Sequence, residues 1–311
     1  MKLLLIFLLS ISAAAAQATS VNIKILSSML ASRGFGEWGF AALVEVDGKR
    51  ILFDTGAHPD TVLRNLHELN LNLSDITDVV LSHNHLDHTA GLMTLRKEMM
   101  AKNKSALSVA HAGKGIFLSR RSRDGKETNP MIEIRKMYEA SGAKIIEHNA
   151  PTQIAKNVWL TGPVPRPNPE KNYGRGLVLT HEDGKTEEDF LPEDISLVID
   201  TTKGLVVLAG CGHSGIVNTL EHVRTKIKNS AIYAVIGGFH LFALSDEQLD
   251  WTADKLKQMG TQLFLGAHCT GIEATFRIRQ RMGLTRKSAA VASVGGGFSL
   301  DQGIDPGLIA R

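Results

Sequence analysis

Hydrophobic positions early in the chain recur first with a period of two and then with the period of a helix. The apolar segments FAALVEV and RILFDT flank Asp47-Gly48, a dipeptide that favours a tight turn, and together they predict a β-hairpin. After Pro59, apolar residues return at helical spacing and predict a helix over 59–70. The chain therefore begins with antiparallel strands and continues with a helix.

Farther along the chain, short apolar runs alternate with helical segments. A buried strand is predicted over 75–82 and a helix over 89–102, and strands separate further helices predicted near 130–141, 214–229 and 245–259. Early hairpins followed by strand–helix alternation predict an α/β fold with two sheets between layers of helices, and not one doubly wound parallel sheet.

Two segments interrupt this alternation and predict a loop insertion near 113–175. Residues 113–130 are polar and basic, which is typical of a surface excursion. Residues 161–175 hold four of the nine prolines. This stiff segment is either an ordinary surface loop or a lid that holds Arg166 or Tyr173 over a pocket, and Arg166 is the candidate substrate-binding residue.

The first 18 residues have the layout of a secretory signal peptide. One lysine precedes an apolar run over 3–11, and a small-residue stretch follows that ends at Ala18, where cleavage is expected. A retained N-terminal anchor is the alternative. No later stretch reaches membrane-spanning length, so residues 19–311 are expected to form one domain in the periplasm or outside the cell.

Composition and charge exclude some classes of protein. The 311 residues are 43% hydrophobic, which is enough for a sizeable core, and the formal net charge is only +3. With 5% aromatic residues and no basic stripe, the chain is not expected to bind nucleic acid. A small-molecule substrate is the expected partner.

The chain has two cysteines, Cys211 and Cys269, which are too few for a disulfide framework. Both flank candidate metal ligands. Three interpretations stay open: both are ordinary buried cysteines, Cys211 binds metal as a thiolate, or the two form a disulfide, which needs Cα atoms within about 7 Å.

The segment VVLSHNHLDHTAGL places three histidines and an aspartate directly after a buried strand. His83 and His85 stand two positions apart, so in extended backbone their imidazoles leave from the same face and can hold one metal ion. Asp87 and His88 follow as the chain turns into a helix, and a carboxylate beside an imidazole suits a second ion.

Three later strands also end in glycine and histidine. His213 follows the strand in GLVVLAGCGH, His240 follows YAVIGG, and His268 follows QLFLGA. Glycines let the backbone approach closely, and strand ends aim side chains at one edge of a sheet. His213 and His268 are therefore predicted metal ligands, whereas His240 is either a ligand or a group that contacts substrate or an oxyanion.

The chain resembles the metallo-β-lactamase superfamily in four segments that occur in order, ILFDTG, VVLSHNHLDHTAGL, LAGCGHSGIVN and LFLGAHCTG. Within it, TGPVPR, GGFHL and AHCTG resemble the branch of metal-dependent hydrolases that contains archaeal dihydropterin ribofuranosylaminobenzene phosphate synthases. The resemblance implies an αββα sandwich, two mixed sheets flanked by helices, with a one- or two-metal site at one edge of the sheets.

The resemblance also implies roles for individual residues. His83 and His85 match first-metal ligands, and the second-metal ligands are matched by Asp87, His88 and His268. Asp54 matches a carboxylate that supports the metal loop through hydrogen bonds. The bridging aspartate of many members is not evident, so His213, or Cys211 as a thiolate, completes the first site and Asp194 approaches the metals. One or two Zn²⁺ ions are expected, with Mn²⁺ or Fe²⁺ as alternatives.

The chemistry implied by the resemblance is hydrolysis by a metal-bound hydroxide. Asp87 orients the hydroxide and helps to take its proton, and His240 donates to the developing oxyanion or the leaving group. The preferred substrate is a phosphoester or a related small-molecule ester. Alternatives are a β-lactamase, lactonase or thioesterase, a pterin-type phosphate synthase, a metal-binding protein without turnover, and a di-iron redox protein.

Overall fold

The structure is a computed structural model that describes residues 16–122, 124–173 and 176–310. Its strands in chain order are β1 (Val21–Ser27), β2 (Leu30–Ala31), β3 (Ala41–Val46), β4 (Lys49–Phe53), β5 (Asp78–Leu81), β6 (Val109–Gly113), β7 (Ser119–Arg121), β8 (Lys144–His148), β9 (Thr152–Ala155), β10 (Val158–Leu160), β11 (Val178–Thr180), β12 (Thr186–Glu188), β13 (Ser196–Thr201), β14 (Gly204–Ala209), β15 (Ile232–Gly237), β16 (Leu263–Gly266), β17 (Ala289–Val291), β18 (Ser293–Val294), β19 (Gly297–Ser299) and β20 (Gly303–Asp305).

The α-helices in chain order are α1 (Thr61–Glu68), α2 (Leu86–Thr89), α3 (Leu92–Met100), α4 (Met131–Ala140), α5 (Ile216–Lys226), α6 (Asp246–Gln258) and α7 (Ile272–Met282). Short 3₁₀ turns cover His268–Thr270 and Leu308–Ala310.

Two large mixed sheets form the centre of the fold. The first has the strand order β20-β19-β1-β3-β4-β5-β6-β8, and the second β17-β16-β15-β14-β13-β10-β9. In each sheet one half is antiparallel and the other is parallel: β4, β5, β6 and β8 run parallel in the first, and β14 to β17 run parallel in the second. The carboxyl ends of these parallel strands carry the candidate site residues.

Three hydrophobic clusters hold four layers together. One fills the space between the sheets, with Phe53 and Val80 from the first sheet facing Leu208 and Ile236 from the second. A second cluster packs α1, α3 and α4 on the outer face of the first sheet. The third packs α5, α6 and α7 on the outer face of the second sheet. This arrangement confirms the αββα sandwich, and each sheet is buried on both faces as parallel strands require.

The predicted hairpin and most of the predicted helices are present. β3 pairs antiparallel with β4 around the Asp47-Gly48 turn. The helix predicted over 89–102 instead begins earlier and divides into α2 and α3. The break has a tertiary cause, because the Thr55 N–H donates to the His88 carbonyl at 2.7 Å and a Cβ on Gly91 would lie 2.2 Å from the Thr55 oxygen.

The insertion expected near 113–175 consists of separate pieces. α4 and the strands β8, β9 and β10 within that range belong to the main layers. The additional material forms a proline-rich loop over 161–173 that has no helix or strand among its described residues, and a small antiparallel sheet, β12-β11-β7, of which β11 and β12 lie beyond residue 175.

Most of the predicted signal peptide lies outside the described residues, which begin at Ala16. Ala18 is buried in the core between the sheets, and its N–H donates to the Asp200 carbonyl at 2.9 Å. The Gln17 side chain donates to Asp200 Oδ1 at 2.8 Å. Cleavage after Ala18 stays a prediction. Among the described residues, no helix combines the length and the apolar content that a membrane span needs.

Candidate metal centre

The predicted ligands meet where parallel strands of both sheets end. His83, His85, Asp87 and His88 follow β5, and His213, His240 and His268 follow β14, β15 and β16. Strand ends from two facing sheets can direct side chains into one shared space, since each strand holds its own terminus in a fixed position.

One group of imidazoles contains His83, His85 and His213. The ring centroid of His83 lies 4.6 Å from that of His85 and 4.7 Å from that of His213. The ring centroids of His85 and His213 are 5.0 Å apart. His83 and His213 are fully buried, whereas His85 is partly exposed. These three residues are the predicted ligands of a first ion.

A second group contains Asp87, His88 and His268. His268 Nε2 lies 3.2 Å from Asp87 Oδ2, and His88 Nε2 lies 3.8 Å from the same oxygen. The ring centroids of His88 and His268 are 5.0 Å apart. His83 and His88 connect the two groups with ring centroids 4.2 Å apart.

Cys211 lies between the two groups. Its Sγ is 3.1 Å from His88 Nε2. The possible ligand atoms of Cys211, His83 and His213 lie within 4.8 Å of one another, and the same holds for Cys211, His88 and His268. A thiolate at this position can therefore contact an ion in either group. Burial raises the pKa of the Cys211 thiol and thus favours its neutral form. A metal ion beside the sulfur would act in the opposite direction, because its positive charge stabilises the thiolate.

Unpaired nitrogen atoms make the strongest case for a metal. His83 Nε2, His213 Nε2 and His268 Nδ1 are buried without a hydrogen-bond partner among the described residues, whereas His268 Nε2 faces Asp87 Oδ2 at 3.2 Å. A buried polar atom without a partner costs about 1–3 kcal/mol, and a shared cation would satisfy several such lone pairs together. Imidazole, carboxylate and thiolate are donors that divalent transition metals accept, so these residues fit one or two such ions.

The local electrostatics favour neutral imidazoles and a bound cation. Burial holds the pKa of His83 and of His213 well below the ordinary value, and lowers the pKa of His85 to about 4. These rings are therefore neutral, which is the form that binds metal. For His88, burial acts in the same direction and is the largest single effect, but the charges of Asp54 and Asp87 and the hydrogen bond to Asp54 together outweigh it and raise the pKa to about 9. The same negative charges attract a metal ion.

Asp54 fixes two of the histidines from behind. This buried carboxylate accepts hydrogen bonds from the Ser82 N–H at 2.8 Å and the Ser82 hydroxyl at 2.7 Å, and its Oδ2 is 2.7 Å from His88 Nδ1. The Ser82 hydroxyl is also 2.9 Å from His83 Nδ1. With both Nδ1 atoms engaged, the Nε2 atoms of His83 and His88 are directed into the site. Gly210 allows this packing, since a Cβ there would lie 2.5 Å from Asp54 Oδ2.

The proline-rich loop supports His213. His213 Nδ1 is 2.5 Å from the Asn172 carbonyl, and Arg166 Nη1 donates to the His213 carbonyl at 2.7 Å. Arg166 Nη2 donates to the Leu191 carbonyl at 2.9 Å. Arg166 therefore braces the loop that carries His213, and its contact with a substrate stays a prediction.

Asp194 and His240 lie beside the ligands. The buried Asp194 accepts a hydrogen bond from the Ser214 N–H at 2.8 Å, which fixes the turn after His213. His240 is partly exposed, has φ +49°, and its ring centroid is 4.6 Å from that of His213. Its Nδ1 has no hydrogen-bond partner in the described part of the chain. The catalytic roles of both residues stay predictions.

Sequence analysis left the role of Cys269 open and did not identify two aromatic residues. Cys211 and Cys269 are free thiols here with sulfur atoms 3.2 Å apart. Trp38 and Phe242 lie beside the site, with ring centroids 4.9 Å from His268 and 5.2 Å from His240. For Trp38 the segment GFGEWGF held a signal, an aromatic residue next to glycine, whereas the neighbours of Phe242 are Leu241 and Ala243 and gave none.

Replacing Asp54 by asparagine tests its support of the ligands. Asp54→Asn keeps the shape of the side chain but removes the charge and one acceptor, so we expect metal affinity to fall about 10- to 100-fold. Competition with a chromogenic chelator measures this affinity. Asp60→Asn, at an exposed position without a side-chain capping bond, is the matched control and should bind metal like the parent protein. Equal affinity of the Asp54 and Asp60 variants would contradict the role given to Asp54.

Comparison with known proteins identifies the family. The sequence model of the metallo-beta-lactamase superfamily matches residues 39–214. A relative from Methanocaldococcus jannaschii, 7,8-dihydropterin-6-methyl-4-(beta-D-ribofuranosyl)-aminobenzene-5'-phosphate synthase, is 34% identical over 274 residues, 81% of this chain and 89% of the relative. An uncharacterised protein from the same archaeon is 34% identical over 259 residues, 83% of this chain and 94% of its own length.

Solved structures show the same fold. Tm1679, a metal-dependent hydrolase of the beta-lactamase superfamily, superimposes with a TM-score of 0.71 at 26% identity, over 90% of this chain and 98% of Tm1679. The metallo-beta-lactamase fold protein YhfI from Bacillus subtilis gives a TM-score of 0.55 at 12% identity, over 90% and 99% of the two chains, and supports the fold alone. The chain therefore belongs to the metallo-β-lactamase superfamily.

Proposed function

We propose that this protein is a metal-dependent hydrolase of small-molecule phosphoesters. The observation that carries the proposal is the convergence of buried, unpaired imidazole nitrogens on a space shared with Cys211 and Asp87. A divalent ion at such a site supplies Lewis-acid polarisation of the scissile group and lowers the pKa of water from 15.7 to about 7. Zn²⁺ is the preferred ion because a thiolate stands among the donors, with Mn²⁺ and Fe²⁺ as alternatives.

The residues of the chain orient the reactants and move protons. Asp87 is the one carboxylate in the two ligand groups, and its side chain is 22% exposed, so it can reach both a water molecule and solvent. Burial acts to raise its pKa, but His88 and His268 outweigh that effect and hold the pKa of Asp87 below the ordinary value. Asp87 is therefore ionised at neutral pH and accepts a hydrogen bond from the attacking water.

His240 is the proposed donor to the leaving group. It stands at the open side of the site, next to His213, and one of its ring nitrogens is unpaired. A donor at this position can stabilise charge that develops on the departing oxygen. His85, Asp87 and His240 are partly exposed, whereas the other predicted ligands are buried, so we propose that the substrate enters on the side of these three residues.

A pterin-type phosphate synthase is the second candidate function. The 34% identity to the archaeal synthase, over 89% of that relative, favours it. The export proposed below would favour the hydrolase, because a biosynthetic intermediate of the cytoplasm would not meet an exported enzyme. A β-lactam, lactone or thioester remains the alternative substrate for a hydrolase on this fold.

We also propose that the protein is exported to the periplasm or beyond the cell. Lys2, the apolar run over 3–11 and the small residues up to Ala18 support this proposal. Cleavage after Ala18 would remove the hydrogen bonds that Gln17 gives to Asp200 and Thr201. It would also remove the buried Ala18, whose N–H donates to the Asp200 carbonyl and whose carbonyl accepts from the Thr202 N–H.

An ester panel on metal-loaded protein tests the hydrolase. We expect turnover of bis-p-nitrophenyl phosphate that is lost on chelation and restored by Zn²⁺, and elemental analysis should find about two ions per chain. A chromogenic β-lactam, a lactone and a thioester identify the alternative hydrolases. Formation of the dihydropterin product named for the archaeal relative, without ester turnover, would favour the synthase. Less than one ion per chain and no turnover would contradict both.

Alanine at His85 or Asp87 tests the residues. We expect phosphodiester turnover to fall more than about 100-fold. Loss of a residue that only supports a metal ligand already lowers metal affinity or activity about 10- to 100-fold. Both side chains are partly exposed, so circular dichroism and the unfolding midpoint should change little. His67→Ala, on an exposed face of α1, is the matched control and should keep full activity. Full activity in metal-loaded His85→Ala would refute the assignment.

N-terminal sequencing tests export. Protein purified from the periplasm or medium of the source cells should begin at Thr19, since cleavage is expected after Ala18. A chain that begins at Met1 in the membrane fraction would indicate the retained anchor. A full-length chain in the cytoplasm would refute export and remove the argument against the synthase.

A further inference from the structure

Two exposed aromatic side chains stand at the entrance of the metal centre, and we call Trp38 and Phe242 the aromatic rim. Trp38 is 48% exposed and Phe242 is 50% exposed. Their rings meet edge to face with centroids 5.4 Å apart. Trp38 also contacts the ring of His268, and Phe242 contacts the ring of His240. The rim therefore forms a continuous apolar face directly beside two imidazoles of the site.

Trp38 is held in place by its neighbour Glu37. The Glu37 carboxylate accepts hydrogen bonds from the Ser27 hydroxyl at 2.7 Å, the Ala57 N–H at 2.9 Å and the His58 N–H at 3.0 Å. Gly39 follows, and a Cβ there would lie 2.9 Å from the Asp87 carbonyl oxygen. The loop that carries Trp38 is thus fixed to the backbone of a site residue.

Phe242 is held by the loop that carries His268. The N–H groups of Leu241 and Phe242 both donate to the Cys269 carbonyl, at 3.1 and 3.3 Å. Gly271 packs against the phenylalanine, since a Cβ there would lie 2.9 Å from Phe242 Cβ. The position of Phe242 therefore needs glycine at 271 and is fixed relative to His268.

Rigid, half-exposed aromatic rings next to a reaction centre are suited to binding a planar group. Their ordering has been completed in folding, so a ligand that packs on them loses little further entropy from the protein. Aromatic rings prefer offset or edge-to-face contact with ring centroids about 4.5–7 Å apart. The exposed sides of Trp38 and Phe242 leave room for another ring in such a contact. Two rings are too small a surface for a stable protein interface, which buries about 1,200–2,000 Å².

We propose that the aromatic rim binds a planar aromatic group of the substrate, attached close to the bond that is broken. The proposal rests on the proposed function, because the rim selects among substrates of the same metal centre. It makes Trp38 and Phe242 specificity-determining residues, on the side of the site that carries His240 and His268.

Matched non-hydrolysable ligands test the rim without turnover. Isothermal calorimetry on zinc-loaded protein compares phenylphosphonate with methylphosphonate, and benzoate with acetate. We expect the phenyl member of a pair to bind more tightly to the parent protein. Trp38→Ala and Phe242→Ala should each weaken phenyl binding about 3- to 10-fold, the effect of one aromatic contact, and leave methyl or acetate binding unchanged.

Trp251→Ala, a tryptophan on α6 whose ring faces Lys255, is the matched control and should keep the phenyl preference, as should the conservative Trp38→Phe. If only the benzoate and acetate pair shows a phenyl preference, the result would support aromatic binding at the rim and contradict a phosphoester as the substrate. Three outcomes would each contradict binding of an aromatic group at the rim. They are a phenyl preference that survives both rim substitutions, equal affinity of both members of every pair, and no binding of any aromatic ligand to zinc-loaded protein.

Discussion

The buried carboxylate of Asp54 is the constraint on which the metal centre depends. An unpaired carboxylate inside a protein is very costly, so Asp54 needs every donor that surrounds it. Those donors are the backbone and hydroxyl of Ser82 and the ring of His88. In satisfying Asp54, they also set the orientation of His83 and His88. The second sheet has to approach just as closely, which explains glycine at position 210. One set of hydrogen bonds thus serves both the packing of the two sheets and the direction of the ligands.

The site also concentrates backbone strain at the ends of rigid strands. Asp54, His240 and His268 all have positive φ, at 55°, 49° and 45°, although none is glycine. Such conformations cost about 1–3 kcal/mol each and persist only where surrounding structure enforces them. Here the strands that end shortly before these residues, β4, β15 and β16, hold them in place, and each strand is buried on both faces between the core of the sandwich and the outer helices. The free energy gained by packing these layers therefore offsets the cost of the strained conformations at the strand ends.

The two sides of the entrance have different structural tasks. The proline-rich loop, one of whose predicted roles was a lid, turns inward: Asn172 and Arg166 hold His213, and Glu170 accepts hydrogen bonds from N–H groups in the first turn of α5. On the side of the proline-rich loop, these polar side chains are therefore already bonded to other residues of the protein. The opposite side presents the exposed rings of Trp38 and Phe242. Selection of a substrate by apolar contact is therefore expected at the aromatic rim, whereas the loop fixes the geometry of the ligands.

Local pattern in the sequence determined the hairpin, most helices, the layer order and the histidines at strand ends, because period, turn residues and strand termini are properties of neighbouring residues. The resemblance added the pairing of those histidines into two groups. Tertiary structure alone decided that Cys211 lies between the groups, that Cys269 stands beside it, and that Trp38 meets Phe242. It also divided the helix expected over 89–102, through a bond from Thr55. These contacts join residues far apart in the chain, and their distances follow from how closely two twisted sheets pack, which no local period encodes.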